Sequence, residues 1–223
     1  MKVLLTVVAV VAFQGISAVP LLEPLYDIAA LGSVPGDYSQ NSIKNTAAFG
    51  HIGGNGFQHG VINEGFFNDI DGSTVQIGVV NGAVGNSVGE NAFQKGGINA
   101  AVVNDIDGTS VQDGPINFAA GNTNGGSALQ NGLFNAALFN NVEGASIQRG
   151  HGNLAIGNTG GHQFTEGGMN LVILNNGKTQ NTKGTTIAIA NHATEEQNFD
   201  GQTLGVLNSA PKRTAAPGSI FLK

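Results

Sequence analysis

The chain has 223 residues and a formal net charge of -6, and only 11% of its residues are charged, which argues against electrostatic binding to nucleic acids or anionic membranes. Its hydrophobic content of 40% argues against disorder, and the absence of cysteine excludes a disulfide framework. With 35 glycines, no tryptophan and 6% aromatic residues, few large side chains are available to fill an ordinary globular interior.

The N-terminal segment has the layout of a secretory signal peptide. Lys2 is followed by an apolar run from Val3 to Phe13 and by small residues that end at Ala18. The run is shorter than the roughly 20 residues needed to span a bilayer. We therefore predict that residues 1–18 are a signal peptide and that the protein is secreted and extracellular. Residues 19–39 are predicted to form a leader that caps the first repeat.

Residues 40–175 form a repeat of eighteen residues whose first seven units keep register without an insertion. A unit has Gln, then Gly two residues later, Asn five later, a small residue seven later and a second Asn ten later. The amides predicted to form structural ladders are Gln58, Gln76, Gln94, Gln112, Gln130, Gln148, Asn63, Asn81, Asn99, Asn117, Asn135, Asn153, Asn68, Asn86, Asn104, Asn122, Asn140 and Asn158. Thr165 replaces the next Gln. Residues 176–209 are predicted to be degenerate repeats, and residues 210–223 a tail.

The period predicts an all-β, single-domain parallel β-solenoid with about 18 residues per coil and eight to ten coils. Gly and Asn in every unit, with β-branched residues between them, disfavour helical repeats. In stacked coils each recurring amide can hydrogen-bond to its copies in the coils above and below. The segment after the second Asn also alternates between acidic and neutral forms, as in "NDIDG" at 104 and "NTNGG" at 122, which adds a period of 36 residues.

Strand alternation leaves two orientations of this repeat open. Large apolar residues such as Ile98 and Val102 share one side of a strand, whereas Asn99 and Ala101 share the other. If the large apolar residues form the core, a flat face of Asn, Ala and Gly is turned to water, and this is the orientation we expect for a soluble monomer. If Asn and Ala are inside, an apolar stripe is exposed along the rod, which would make self-association or adhesion nearly obligatory.

The spacing Gln-x-Gly-x-x-Asn-x-Ala resembles the repeat of the curlin family, the secreted subunits of bacterial curli amyloid. It reads "QIGVVNGA" at 76, "QKGGINAA" at 94, "QDGPINFA" at 112 and "QNGLFNAA" at 130, and the resemblance covers residues 40–175. Curlin units are longer, have Ser six residues before Gln, and close on a second Gln where this chain has Asn. The resemblance implies a secreted β-solenoid with potential for fibrillar assembly and carries no catalytic residues.

Acidic turns are the best candidates for cation binding, because carboxylates spaced by two in a Gly-rich turn are common oxygen ligands. They contain Asp69 with Asp71, Asp105 with Asp107, and Glu143. Alternate repeats lack the Asp residues, and Asp, Asn and Gly also make ordinary exposed turns, so we predict no metal site and no cofactor. The histidines share no metal-ligand spacing; they are His51, His59, His151, His162 and His192.

Catalysis is not predicted. The coils are shorter than those of the β-helix enzymes that cut pectin and contain no adjacent Asp pair, and no grouping of Ser, His and acid stands out. Lys212 and Arg213 form the only adjacent dibasic pair, which is either a proprotein cleavage site or part of a simple exposed tail.

The sequence therefore favours a secreted, non-enzymatic structural or surface protein. It would be a rod that coats, adheres or self-assembles in an amyloid-like manner at a cell wall or extracellular matrix. Its partners would be further copies of itself or an extracellular polysaccharide, with no nucleic acid and no membrane span. The alternative is a secreted binding module whose flat Asn and Ala face meets a polysaccharide or, less readily, ice.

Overall fold

A computed structural model of the chain describes residues 26–66, 68–102 and 104–222, and the predicted signal peptide lies outside these residues. The described residues form 25 strands joined into one sheet system. The strands are β1 (Tyr26–Val34), β2 (Tyr38–Asn41), β3 (Lys44–Ile52), β4 (Gly56–His59), β5 (Ile62–Phe66), β6 (Asp69–Ile70), β7 (Thr74–Ile77), β8 (Val80–Val84), β9 (Ser87–Val88), β10 (Ala92–Lys95), β11 (Ile98–Val102), β12 (Asp105–Ile106), β13 (Ser110–Asp113), β14 (Ile116–Ala120), β15 (Thr123–Asn124), β16 (Ala128–Asn131), β17 (Phe134–Leu138), β18 (Asn141–Arg149), β19 (Gly152–Ile156), β20 (Thr159–Ile173), β21 (Asn176–Ile189), β22 (His192–Asp200), β23 (Thr203–Val206), β24 (Lys212–Ala215) and β25 (Ile220–Leu222).

Each regular coil contains three short strands, and every strand pairs in parallel with its equivalents in the neighbouring coils. Gln94, for example, pairs with Gln76 on one side and with Gln112 on the other. The chain is therefore a single-domain parallel β-solenoid of about 11 turns with about 18 residues per coil, which confirms the fold predicted from the repeat.

The strands of successive coils build three sheets along the rod. The first sheet contains β2, β4, β7, β10, β13 and β16 and carries the Gln ladder. The second contains β5, β8, β11, β14, β17 and β19 and continues through the last residues of β20 and β21 into β23 and β25. The third contains the two-residue strands β6, β9, β12 and β15.

Both flanking segments differ from the prediction, because they form coils. The predicted leader contains β1, which pairs with β3 in the same register of eighteen residues. The predicted tail contains β24 and β25, which pair with β22 and β23. These extra coils account for a longer rod than the eight to ten coils expected from the sequence.

The amides form continuous hydrogen-bonded ladders in the interior. Asn81 Nδ2 donates to Asn99 Oδ1, and Asn99 Nδ2 donates to Asn117 Oδ1, both at 2.8 Å. The Gln ladder runs in the opposite sense, since Gln94 Nε2 donates to Gln76 Oε1 at 2.7 Å and also to the carbonyl of Ala100. The ladder amides also donate to backbone carbonyls, as Asn81 does to Lys95 and Gln94 does to Ala100, which gives these buried side chains partners within the protein.

The orientation expected for a soluble monomer is wrong: the amides face inward and the large apolar residues face outward. Asn99 is 0% exposed and Ala101 is 5% exposed, whereas their neighbour Ile98 is 43% exposed. The physical reason is space, because a coil of eighteen residues folded around three sheets leaves an interior only wide enough for amides and small side chains. Large aliphatic residues are buried mainly at the third sheet, where Ile52, Ile70, Val88 and Ile106 form a cluster.

The Gln ladder changes position where the coil shortens. Gln148 pairs with Thr165, and the amide column then continues two residues earlier along the strand, at Gln163, Gln180 and Gln197. Gln197 Nε2 donates to Gln180 Oε1 at 3.0 Å. One residue is lost between the third and first sheets, since Val142 pairs with Gly160, 18 residues later, whereas Ala145 pairs with His162, 17 residues later. The interior therefore keeps an amide column after the original one is interrupted.

The size of the side chain also alternates with a period of 36 residues, at the corner just before the second Asn ladder. Backbone φ is positive at this corner in Gly121, Phe139 and Gly157. A Cβ on Gly157 would lie 2.6 Å from the Phe139 ring. A large side chain in one coil thus covers the glycine of the next, which favours alternation of large and small residues.

One buried polar residue breaks an otherwise apolar column and gives a stability prediction. Asn124 stands between Ile106 and Val142, and its buried Oδ1 has no hydrogen-bond partner among the described residues. We expect Asn124→Val to raise the free energy of unfolding by about 1–2 kcal/mol, because it removes an unsatisfied polar group without loss of a hydrogen bond at that oxygen. Urea denaturation followed by circular dichroism measures this change.

The matched control is the same substitution two residues earlier. Asn122 Oδ1 accepts hydrogen bonds from the backbone and side chain of Asn104, and Asn122 Nδ2 donates to Asn140. Asn122→Val should lower the free energy of unfolding by about 3 kcal/mol, since partners on both sides lose their bonds. Destabilisation by both substitutions would contradict the assignment of Asn124 as an unsatisfied residue.

Candidate functional site

The outward residues of the second sheet form an uncharged surface, which we call the apolar face. It runs from β8 to β25, and none of the residues that the structure describes on it is charged. Its members are Val80, Gly82, Val84, Ile98, Ala100, Val102, Ile116, Phe118, Ala120, Phe134, Ala136, Leu138, Gly152, Leu154, Ile156, Met169, Leu171, Ile173, Thr185, Ile187, Ile189, Leu204, Val206, Ile220 and Leu222.

Several of these side chains are extensively exposed. Phe134 is 59% exposed, Met169 is 69% exposed and Ile220 is 58% exposed. Exposed Val79 and Leu133 extend the surface into the adjoining turn. Scattered exposed apolar residues are ordinary, but a contiguous face of this length on a rod is typical of an interaction surface.

The fold itself does not require the face to be uncharged. At the equivalent outward positions of the earlier coils stand Lys44 and Glu64, whose Nζ and Oε2 atoms lie 3.1 Å apart, and β3 and β5 pair normally around them. Because the same sheet accommodates an ion pair at these positions, the absence of charge from β8 onward is better explained by function than by folding.

A line of charges borders the face on the first sheet, one residue after the column that begins with the Gln ladder and continues through Thr165, Thr182 and Phe199. It contains Lys95, Asp113, Arg149, Glu166, Lys183 and Asp200. Opposite charges lie on neighbouring coils: Glu166 contacts Lys183 at 3.0 Å and Arg149 at 3.7 Å. The hydrogen bond to Glu166 raises the pKa of Lys183. Like charges are thus kept out of contact along the rod.

The acidic turns do not combine into one site. Asp69 and Asp105 are separated in their column by Ser87, and Gly89 occupies the corresponding place between Asp71 and Asp107. The turn that carries Glu143 is likewise separated from that of Asp107 by the uncharged turn at 122–126. The acidic turns are therefore separated from one another along the rod, and their carboxylates are exposed.

His51 is the one predicted histidine that the described structure places beside acidic residues. Its Nδ1 lies 3.3 Å from Asp69 Oδ2, and its Nε2 lies 3.9 Å from Asp71 Oδ2. These three residues are the group of potential metal ligands found among the described residues, and all of them are exposed. The His51 imidazole lies beside carboxylates of the next coil, and a contact of this kind between exposed polar side chains is ordinary on a protein surface.

Three further candidates, His59, His162 and Arg213, have side-chain partners nearby. His59 contacts Asn41 at 3.1 Å, and His162 contacts Thr179 at 2.8 Å. Arg213 donates to Gln197 at 3.3 Å and lies 4.8 Å above the Phe221 ring. Lys212 and Arg213 therefore belong to a coil, and the interpretation of this segment as a simple tail is wrong.

The described residues contain no helix long and apolar enough to cross a membrane. The amides at the predicted ladder positions face inward and hydrogen-bond between coils, whereas the side of the second sheet that was expected to be buried is exposed. No protein family, no curated protein and no solved structure matches this chain, so that the resemblance to the curlin repeat is carried by the spacing of its Gln, Gly, Asn and Ala residues alone.

Proposed function

We propose that this chain is a secreted, non-enzymatic structural protein that coats surfaces or assembles at a cell wall or extracellular matrix through its apolar face. The observation that supports the proposal best is the uncharged outward surface from β8 to β25, on a fold that accepts charges at the same positions in β3 and β5. Secretion rests on the predicted signal peptide.

The division of the rod into unlike sides supports a coating role. The outward column of the third sheet is polar and includes Asp69, Ser87, Asp105 and Thr123. A rod with one apolar side and one polar side can cover an apolar surface and turn its polar side to water. The ladders keep the apolar side flat, since every coil is tied to its neighbours by buried hydrogen bonds.

The alternative function proposed from the sequence depends on an exposed face of Asn and Ala, and these side chains are buried. A flat face of Asn and Ala for a polysaccharide or for ice would need these side chains outside, whereas Asn99 and Asn117 are at most 1% exposed. A polysaccharide could still be a partner of the wall-bound protein, but the amide ladders would not be the groups that contact it.

The experiment introduces a charge in the middle one of the three outward columns of the apolar face. Ile187 is 44% exposed, so Ile187→Glu should leave the fold intact, because the new carboxylate reaches water. We expect adsorption of the purified protein to an alkyl-coated surface to weaken by roughly tenfold or more, since a charge would be desolvated on contact. A quartz-crystal microbalance measures the adsorption.

The matched control carries the same charge on the polar side. Thr159 is exposed at the start of β20, with Asn141 and Asn176 above and below it. Thr159→Glu should adsorb as the unchanged protein does. Equal adsorption by Ile187→Glu and the unchanged protein, with circular dichroism spectra that agree, would contradict the proposed function.

A further inference from the structure

We propose, on the basis of the proposed function, that the apolar face binds the same face of a second copy, with the two rods antiparallel and the two-fold axis at the coil of Leu154. In this arrangement each column of one face lies opposite the same column of the other, and Leu154 lies opposite its own copy. Coils at equal distances before and after Leu154 then face each other.

The size of the side chains along the central column favours this arrangement. Before Leu154 the column contains Gly82, Ala100 and Ala136, and after it Leu171, Leu204 and Ile220. An antiparallel pair places Ala136 opposite Leu171, Ala100 opposite Leu204, and Gly82 opposite Ile220. In the central column, the half with small side chains thus receives the half with large side chains of the other copy, as close packing requires.

Phe118 is the large residue that the central column contains before Leu154, and it lies opposite Ile187. A parallel pair would pack less well in the central column, because that column would then meet itself coil by coil. Ala100 would face Ala100 across a gap, while Leu204 would face Leu204 in a crowded layer. The asymmetry in side-chain size between the two halves therefore distinguishes the two orientations.

The charges that border the face agree with the same two-fold axis. Arg149 lies in the coil of Leu154. Lys95 and Asp200 are equally distant from it in opposite directions along the column, and so are Asp113 and Lys183. The antiparallel pair brings each lysine to the same level as the partner's aspartate. Arg149 meets its own copy, but each Arg149 also contacts Glu166 of its own chain at 3.7 Å.

The extent of the face is sufficient for a specific dimer. With about 4.8 Å between coils, its length from β8 to β25 is about 40 Å, and three outward residues with their side chains make it about 15 Å wide. Each copy would bury about 600 Å², or about 1,200 Å² for the pair, which is the lower end of the range for specific protein interfaces.

Thiol cross-linking tests the orientation, because the chain has no cysteine of its own. We expect a short bifunctional thiol reagent to link Leu154→Cys to its own copy and to link the double variant Ala100→Cys with Leu204→Cys. Each of the last two substitutions alone should give no dimer band. In the antiparallel pair the two copies of residue 100 are about 29 Å apart, which a short reagent does not span.

Efficient dimer formation by Ala100→Cys alone would show a parallel pair and overturn the proposal. A failure of both Leu154→Cys and the double variant to cross-link, together with a monomer mass in sedimentation at high concentration, would also overturn it. These outcomes are separate from those of the proposed function, which the adsorption of Ile187→Glu decides. A monomer that adsorbs through its apolar face would contradict the dimer and leave the coating role intact.

Discussion

Gly114→Ala should lower the free energy of unfolding by about 4 kcal/mol or more, or prevent folding altogether. Gly114 lies in the turn between the first and second sheets, directly above Gly96 in the preceding coil. A Cβ at Gly114 would lie 1.8 Å from the carbonyl oxygen of Gly96 and 2.8 Å from Asn99 Nδ2. Relief of these contacts would separate two coils and break the Asn ladder, and urea denaturation followed by circular dichroism measures the loss.

Gly82→Ala is the matched control, because Gly82 faces outward on the second sheet. A Cβ there would lie 3.9 Å from the carbonyl oxygen of Asn63, and the next coil already has Ala100 at this position. Its effect should be within about 0.5 kcal/mol of zero or slightly stabilising. Equal losses of stability in the two variants would contradict the explanation that close contact with the preceding coil requires glycine at position 114.

Asn117→Asp should give a protein whose stability falls as the pH rises. Asn117 Nδ2 donates to Asn135 Oδ1 at 2.8 Å and to the carbonyls of Gly114 and Asn131 at 2.9 Å. A carboxylate there would face these acceptors in a site that is 1% exposed. Burial and the neighbouring oxygens would both raise the pKa of the new carboxyl group in the folded protein.

The direction of the pH dependence follows from that shift. In the unfolded chain the aspartate titrates near its ordinary pKa of about 3.9. Below that pH the carboxyl group is protonated in both the folded and the unfolded state, so the substitution lowers the free energy of unfolding least. As the pH rises towards the higher folded pKa, the unfolded state gains its charge first, and stability is lost. We expect a deficit of about 3–5 kcal/mol at pH 7 and a much smaller one at pH 3, from urea denaturation at each pH.

Asn141→Asp controls for the change in net charge. Asn141 is exposed at the start of β18 and accepts a hydrogen bond from Thr159 Oγ1 at 3.0 Å. A carboxylate accepts this bond equally well, so the stability of Asn141→Asp should follow that of the unchanged protein at both pH values. A pH-independent effect of Asn117→Asp would contradict the account of the ladder as a chain of amide donors and acceptors.

The sequence predicted the coil and its register well, because an amide ladder needs the same residue in every coil. Gln76, Gln94 and Gln112 can bond to one another only when the spacing between them is constant. The change of ladder to Gln163 and Gln180 was not predicted, since it accompanies a coil that is one residue shorter between the third and first sheets.

The exposed side was predicted wrongly because hydrophobicity alone was used to choose it. The range of side-chain sizes within each column would have shown which columns face outward. The outward column six residues after Gln contains Glu64, Gly82, Ala100 and Phe118, whereas the inward column beside it contains Ala or Gly in every regular coil. A closely packed interior cannot alternate between Gly and Phe, but a solvent-facing surface can.

The central claim is that the amide ladder lies inside the coil and the apolar face outside it. It is tested most directly by the labelling rates of two single-cysteine variants at adjacent alanines, Ala100→Cys and Ala101→Cys, in dilute protein where the faces are free. A cysteine fits at position 101, because the same inward column contains the larger Val172 in another coil. Position 100 faces outward, where a larger side chain has room. We predict that Ala100→Cys reacts with a thiol reagent as fast as the unfolded chain and that Ala101→Cys reacts at least about a hundredfold more slowly. Faster labelling of Ala101→Cys than of Ala100→Cys would contradict the account.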